Sequence, residues 1–239
     1  MSSGLLLAVR DLHVAFGEER ILHGVSFGVR SGGITALLGR NGAGKTTALR
    51  GMLGLVARTG SVRFDGEELA KLPAHLVVRR GIGYVPENRD VFGSLSVAEN
   101  LRLAERSKAT LRYDYVYELF PELRERAGQR AGTLSGGQQQ MVAIARAFLN
   151  AENRLMLVDE PTKGLSPLMV KRVADALRAA SAVTTILLVE QNLSVAHVLA
   201  RDAIVIDQGR VTFTGTVDEL MDDRDLARRH LGISAAQTH

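Results

Sequence analysis

Apolar and polar residues alternate through the first part of the chain, at Leu6 to Phe16 and Ile21 to Val29, with the turn-like Gly17-Glu18-Glu19-Arg20 between them. A period of two broken by a glycine turn predicts antiparallel strands. The apolar run Ile34 to Leu38 predicts a buried strand and Lys45 to Leu53 a helix. A strand pair is predicted near Gly60 to Phe64 with the turn Asp65-Gly66, then a short strand at Ile82 to Val85 ended by Pro86. From about Asn88 to Arg146 the pattern turns helical, with charged faces in Leu101 to Lys108 and Val116 to Arg126. Alternation then returns: strand Leu155 to Val158, helix Pro167 to Ala180, strand Thr185 to Val189, helix Leu193 to Leu199 and strand Ala203 to Ile206. Strands separated by helices imply a parallel sheet covered on both faces. The expectation is an α/β chain with a mostly parallel core, an N-terminal antiparallel β subdomain and an inserted helical lobe. It reads as a single domain over residues 1–239, with the core at 1–87 and 147–239 and the lobe at about 88–146.

Composition narrows the chemistry. The absence of cysteine removes disulfides, thiolate metal sites and thiol catalysis, and fits a reducing cytosol. No apolar run approaches the ~20 residues that span a bilayer, and Met1-Ser2-Ser3-Gly4 lacks the pattern of an export signal. The chain is therefore not expected to insert in a membrane by itself. The formal charge of +4 is spread without a dense basic run, which argues against nucleic acid as a partner. Histidines at 13, 23, 75, 197, 230 and 239 show no metal-ligand spacing. The basic segment Arg224 to His230 reads as a solvated helix face, with a lipid contact as the other reading.

Three motifs carry the chemistry. Gly39-Arg40-Asn41-Gly42-Ala43-Gly44-Lys45-Thr46-Thr47 fits the phosphate-cradle pattern G-x-x-x-x-G-K-[ST], between a predicted strand and helix as that motif requires. Backbone N–H groups can turn around the phosphates of ATP, Lys45 can reach the outer oxygens, and the Thr46 hydroxyl can join the shell of Mg2+. The second motif, Leu155 to Glu160, is an apolar strand ending in two carboxylates. There Asp159 can hold Mg2+ through water while Glu160 polarises the water that attacks the γ-phosphate. In the third, Leu134-Ser135-Gly136-Gly137-Gln138-Gln139-Gln140, Ser135 can cap a helix with Gln138 at capping-box spacing, and the paired glycines leave the helix N-terminus open to an anion.

This third motif resembles the signature sequence of ATP-binding cassette (ABC) proteins, and with the other two the resemblance covers essentially the whole chain. It implies a P-loop ABC ATPase fold. It also implies a head-to-tail dimer in which Ser135, Gly136, Gly137 and Gln138 of one subunit close over the γ-phosphate held by the other. Phe16 stands where the family places a ring that stacks on adenine; packing in a strand core would favour the same side chain. Glu87, in Tyr84-Val85-Pro86-Glu87, replaces the usual glutamine and still offers an oxygen to Mg2+. Gln191 replaces the usual histidine at the γ-phosphate; an amide can donate that hydrogen bond but cannot titrate near neutral pH. Ser166 replaces an aspartate that usually meets the partner subunit.

Together these departures make the chain similar to the shorter of the two ATPases of branched-chain amino acid importers, with urea and short-chain amide importers as close relatives. The resemblance implies a second ATPase subunit (or a homodimer in isolation), two membrane permeases, an extracytoplasmic solute-binding protein, and a place on the cytoplasmic face of the membrane. Val91 to Ser96 is the candidate for permease contact, or else a cover for the helical lobe. A soluble cassette protein that clamps DNA or acts on ribosomes is the alternative class. The former carries a long coiled coil for which Lys45 and Ser135 are too close, and the latter usually two cassettes per chain.

Overall fold

The computed structural model describes residues 4–106, 110–223, 225, 228 and 231. Among these, the strands form two sheets. The first contains β1 (Leu5–Phe16), β2 (Glu19–Arg30), β4 (Arg58–Phe64) and β5 (Glu67–Glu68), all antiparallel, in the order β2-β1-β4-β5. The second has the order β10-β9-β3-β8-β7-β6, with β3 at Ile34–Leu38, β6 at Ile82–Val85, β7 at Leu155–Asp159, β8 at Thr185–Glu190, β9 at Asp202–Asp207 and β10 at Arg210–Thr216. Strands β6, β7, β8, β3 and β9 run parallel.

The period-two alternation of a strand sends successive side chains to opposite faces, and here both faces are buried. Ile34, Ala36 and Leu38 of β3, Met156 and Val158 of β7, and Ile186 and Leu188 of β8 enter one core. Leu37, Leu155, Leu157, Leu187 and Val189 enter the other, which is closed by the antiparallel sheet, by α1 (Lys45–Leu53) and by α2 (Ala74–Arg79). The first core is closed by α6 (Gly136–Phe148), α7 (Pro167–Ala180) and α8 (Leu193–Leu199), and continues into the middle segment through Val97, Leu101, Val116, Phe120 and Leu123.

Three details differ from the sequence reading. The helix expected through Leu101 to Lys108 covers Val97–Arg102 (α3), because Ala104 and Glu105 already bond back only three residues, to Leu101 and Arg102. Lys108 lies outside the described residues, as does most of Arg224 to His230. The helix expected through Val116 to Arg126 is split into α4 (Tyr113–Leu119) and α5 (Pro121–Glu125). Pro121 excludes Phe120 from helical geometry, and Phe120 takes φ −136° and ψ 75°. Finally, β10 turns back antiparallel onto β9 and leads into α9 (Val217–Asp222), neither of which was anticipated. Its hairpin signal is Gln208-Gly209, both with positive φ, of 46° and 70°.

Between β6 and α3 the chain is pinned by Asn100, which is fully buried. Its Oδ1 accepts from the Phe92 N–H at 2.9 Å, and its Nδ2 donates to the carbonyls of Phe92 (3.0 Å) and Ser96 (2.9 Å). Truncating it would leave the Phe92 N–H unpaired and take one of two donors from each of the Phe92 and Ser96 carbonyls, which keep the Leu95 and Asn100 N–H groups. Asn100→Ala is expected to lower the unfolding free energy by about 1–3 kcal/mol, the cost of one orphaned donor and the lost side-chain bonds. Urea denaturation measures this, and a loss within experimental error of zero would show that the loop repacks without it.

Candidate functional site

Four neighbouring parallel strands deliver their carboxyl ends to one edge of the sheet. In spatial order β3 leads to the Gly39–Thr47 loop, β8 to Gln191, β7 to Asp159 and Glu160, and β6 to Glu87. Register makes the alignment close: Leu38 faces Glu190, Val189 faces Asp159, and Val158 faces Val85. A strand end is where a buried sheet can present polar atoms without breaking its ladder.

The phosphate loop is wedged between other elements. At Gly39 (φ 155°) an added Cβ would collide with the Ile206 carbonyl oxygen, and at Gly44 (φ 106°) it would come within 2.7 Å of Leu22 Cδ2. Side chains are excluded there by both conformation and space. The β9–β10 turn supports the loop from behind, since Gly209 N–H donates to the Ala43 carbonyl at 2.9 Å and the His23 N–H donates to the Gly209 carbonyl at 2.9 Å. Arg40, Asn41 and Gly42 are exposed, Ala43 and Gly44 are buried, and Thr47 is half-buried at the start of α1.

Lys45 is 4% exposed and folds over its own loop, donating to the carbonyls of Gly39 (2.9 Å) and Arg40 (3.1 Å). Its Nζ lies 3.3 Å from Glu160 Oε1. Gln191 Nε2 donates to both Glu160 oxygens at 2.8 Å. Lys163 Nζ reaches Glu160 Oε2 at 3.3 Å and Glu87 Oε1 at 2.5 Å. Burial by itself would raise the Glu160 carboxyl, but the Gln191 hydrogen bond, Lys45 and Lys163 outweigh it and hold the group below its ordinary range. Glu160 also has φ 44°, a left-handed backbone that a non-glycine residue adopts only when its surroundings hold it there. Its N–H donates to the Val189 carbonyl at 3.0 Å. Behind it, Thr162 Oγ1 donates to Glu190 Oε1 at 2.7 Å, and burial raises the Glu190 carboxyl.

Asp159 has no exposed surface. Its Oδ1 accepts from Thr46 Oγ1 at 3.2 Å, and its Oδ2 is buried with no hydrogen-bond partner. A buried carboxylate oxygen left unpaired beside a hydroxyl is the donor set that a hard divalent cation takes, so these two residues fit Mg2+. Among the described residues no group of three or more His, Cys, Asp or Glu is poised around a metal. Glu87, the third expected metal residue, is instead paired with Lys163.

The other expected site residues make no hydrogen bond or ion pair to this cluster among the described residues. Phe16 is half exposed at the end of β1, which removes the reading of it as a core aromatic. Ser135 caps α6, and its capping box with Gln138 is formed. Gln138 also reaches Glu122, while a Cβ at Gly136 would meet the Arg89 guanidinium at 2.7 Å and one at Gly137 would meet Met169 Cε. Within one chain, this segment makes no hydrogen bond or ion pair to the phosphate loop among the described residues. Of Val91 to Ser96, Val91 packs against the core, whereas Phe92 is half exposed under the Arg146 guanidinium. Ser166 precedes α7 without a side-chain cap bond. Sequence reasoning missed Lys163; its only signal was a lysine three residues after Glu160, in the loop leaving the same strand.

Burial pushes the Asp159 carboxyl up to about 6. An acid whose folded value exceeds the ordinary value of about 4 favours the folded state when protonated, so stability falls as pH rises from about 4 to 6 and stays reduced above that. Asp159→Asn, which keeps the acceptor for Thr46, is expected to stabilise the protein without nucleotide or metal by about 2–3 kcal/mol at pH 8, and much less at pH 4. Urea melts at both pH values decide it; an unchanged or lower stability at pH 8 would contradict the burial penalty.

Comparison with known proteins gives a consistent answer. The sequence profile of the ABC transporter family matches residues 22–163. The chain is 39% identical over 233 residues to the high-affinity branched-chain amino acid transport ATP-binding protein BraG of Pseudomonas aeruginosa, covering 95% of this chain and all of BraG. It is 37% identical to the probable branched-chain amino acid transport ATP-binding protein LivF of Archaeoglobus fulgidus, covering 95% and 99%. It is also 36% identical to the lipopolysaccharide export system ATP-binding protein LptB of Escherichia coli, covering 95% and 97%. Among solved structures, an ATP-binding subunit of an ABC transporter superposes with a TM-score of 0.79 at 30% identity, covering 95% and 96%. Phosphate loop, paired carboxylates, capped signature helix and whole-chain similarity converge: this chain belongs to the ABC transporter family, as one of its ATP-binding, ATP-hydrolysing subunits.

Proposed function

We propose that this chain is the ATP-hydrolysing subunit of an importer for branched-chain amino acids, working on the cytoplasmic face of the membrane through partner permeases. The observation that carries the hydrolytic part is the Lys45–Glu160–Gln191 cluster beside Asp159 at adjoining strand ends. The substrate rests on likeness to BraG and LivF along nearly the whole chain, and on Glu87, Ser166 and Gln191 in their places. Urea and short-chain amide importers are the second reading. LptB belongs to an export system, and the uptake measurement below separates the two directions.

The backbone N–H groups of Gly39 to Thr47 and the Lys45 ammonium bind the phosphates, and the half-exposed Phe16 ring offers a face to adenine. Bound Mg2+ supplies positive charge to the phosphoryl oxygens, held by Thr46 and Asp159 with Glu87 as a further oxygen donor. Glu160 orients water and accepts its proton at a carboxylate oxygen, for which its ionised state is the right one. Gln191 fixes that carboxylate by donating to both oxygens and, being an amide, holds its state across neutral pH. Ser135, Gly136, Gly137 and Gln138 complete the partner's site, which accounts for their making no hydrogen bond to the phosphate loop of their own chain among the described residues. The partner is a second ATPase subunit, or a second copy in isolation. Phe92, half exposed in Val91 to Ser96, is the residue we assign to permease contact. The lobe at 88–146 carries that surface and the core carries the nucleotide.

Glu160→Gln is expected to retain ATP binding and lose at least ~10²-fold in turnover, the scale of a missing general base. Hydrolysis at the wild-type rate would remove Glu160 from that role. For the biological assignment, a tagged chain recovered from gently solubilised native membranes is expected to bring two permeases and a second ATPase. Cells lacking it are expected to lose uptake of labelled leucine. Recovery of ribosomes, DNA-associated proteins or export components, or undiminished uptake, would defeat the importer assignment.

A further inference from the structure

Glu87 and Glu160 leave different strands, β6 and β7, yet one side chain touches both. Lys163 Nζ lies 2.5 Å from Glu87 Oε1 and 3.3 Å from Glu160 Oε2. Lys45, the other ammonium at Glu160, is buried and also held by two loop carbonyls. Lys163 is built differently. Its side chain is 52% exposed and, among the described residues, bonds only to the two carboxylates. Its backbone is fixed, since Lys163 N–H donates to the Glu160 carbonyl at 3.2 Å and the neighbouring Thr162 hydroxyl is bound to Glu190. A flexible four-carbon stem with an anchored base and a half-exposed tip can follow either carboxylate.

The charges give that freedom a consequence. Of the carboxylates Asp159, Glu160 and Glu87, the two ammoniums Lys45 and Lys163 are paired with Glu160 and Glu87, while Asp159 has only the Thr46 hydroxyl. While Glu87 is engaged by Lys163, its oxygen is unavailable to a cation held by Thr46 and Asp159. If Glu87 turns toward such a cation, Lys163 is left with Glu160 alone.

We propose that Lys163 is a positioning residue that withholds Glu87 from the cation-binding oxygens of Thr46 and Asp159 and ties the loop entering the helical segment to Glu160. This rests on the roles of Asp159 and Glu160 given above. The pairing makes Lys163 a shared counter-ion whose allegiance reports where Glu87 is, so that metal capture at one strand end changes the charge around the carboxylate at the next.

The test is a titration of the full-length protein, free of nucleotide, with Mn2+ alone, following free Mn2+ by electron paramagnetic resonance. Lys163→Met is expected to raise Mn2+ affinity by about fivefold, the scale of releasing one partly exposed ion pair. Lys163→Arg, which can keep both contacts, is expected to stay within about twofold of wild type. In a Glu87→Gln background, Lys163→Met is expected to change affinity by less than about twofold, because the oxygen it would release is no longer a carboxylate. An unchanged affinity in Lys163→Met, an equal rise in both backgrounds, or no Mn2+ binding by any variant would each overturn the proposal. Equal rises would mean that the lysine repels the cation directly. The titration needs no turnover, so it fails separately from the hydrolytic reading. A flat Mn2+ result with an inactive Glu160→Gln removes the role of Lys163 alone, whereas an active Glu160→Gln removes the reading of Glu160.

Discussion

Burial of the parallel sheet on both faces is the constraint from which the rest of the molecule follows. Strands β3, β7 and β8 are buried along their whole lengths, so no functional side chain can sit mid-strand without being sealed from solvent. Polar groups are confined to the strand ends, and the shared direction of the strands brings the useful ends to the same edge. The chemistry is assembled by topology: a loop, an amide and three carboxylates from four separate parts of the sequence become neighbours because their strands do.

Confinement has an electrostatic cost that the site distributes unevenly. Asp159 is resisted by burial and partly served by Thr46, whereas Glu160, the next residue, is surrounded by donors and stays ionised. Two adjacent carboxylates are thereby given different proton affinities, that of Asp159 raised by burial and that of Glu160 lowered by its donors. The left-handed backbone at Glu160 is part of this arrangement, because it turns consecutive side chains from a single strand end toward different partners.

Much of this was legible in the sequence. The helices at Lys45, Pro167 and Leu193 begin and end where the apolar spacing and flanking residues put them, and the phosphate loop was readable from its glycines and lysine. Periodicity could not reveal that Pro121 would cut one helical pattern into two, since both halves keep the same apolar face. Nor did it reveal β10, whose residues alternate between half-buried and exposed and lack the apolar run that marked the parallel strands. Lys163 was invisible for another reason. Its spacing to Glu160 is local, but the contact that distinguishes it is with Glu87, 76 residues away at the end of β6, and a pairing across strands has no spacing in the chain.

The strand order also bears on how the chain reaches this state. Strand β3 bonds on one side to β8, Ile34 facing Ile186, and on the other to β9, Ala36 facing Ala203. A segment synthesised early therefore waits through most of translation for both of its neighbours, with Leu37 and Leu38 destined for opposite cores and neither core closed. Until β8 and β9 arrive, the nascent chain carries an unpaired apolar strand beside a finished antiparallel sheet. This is the interval in which a chaperone would be of most use to it.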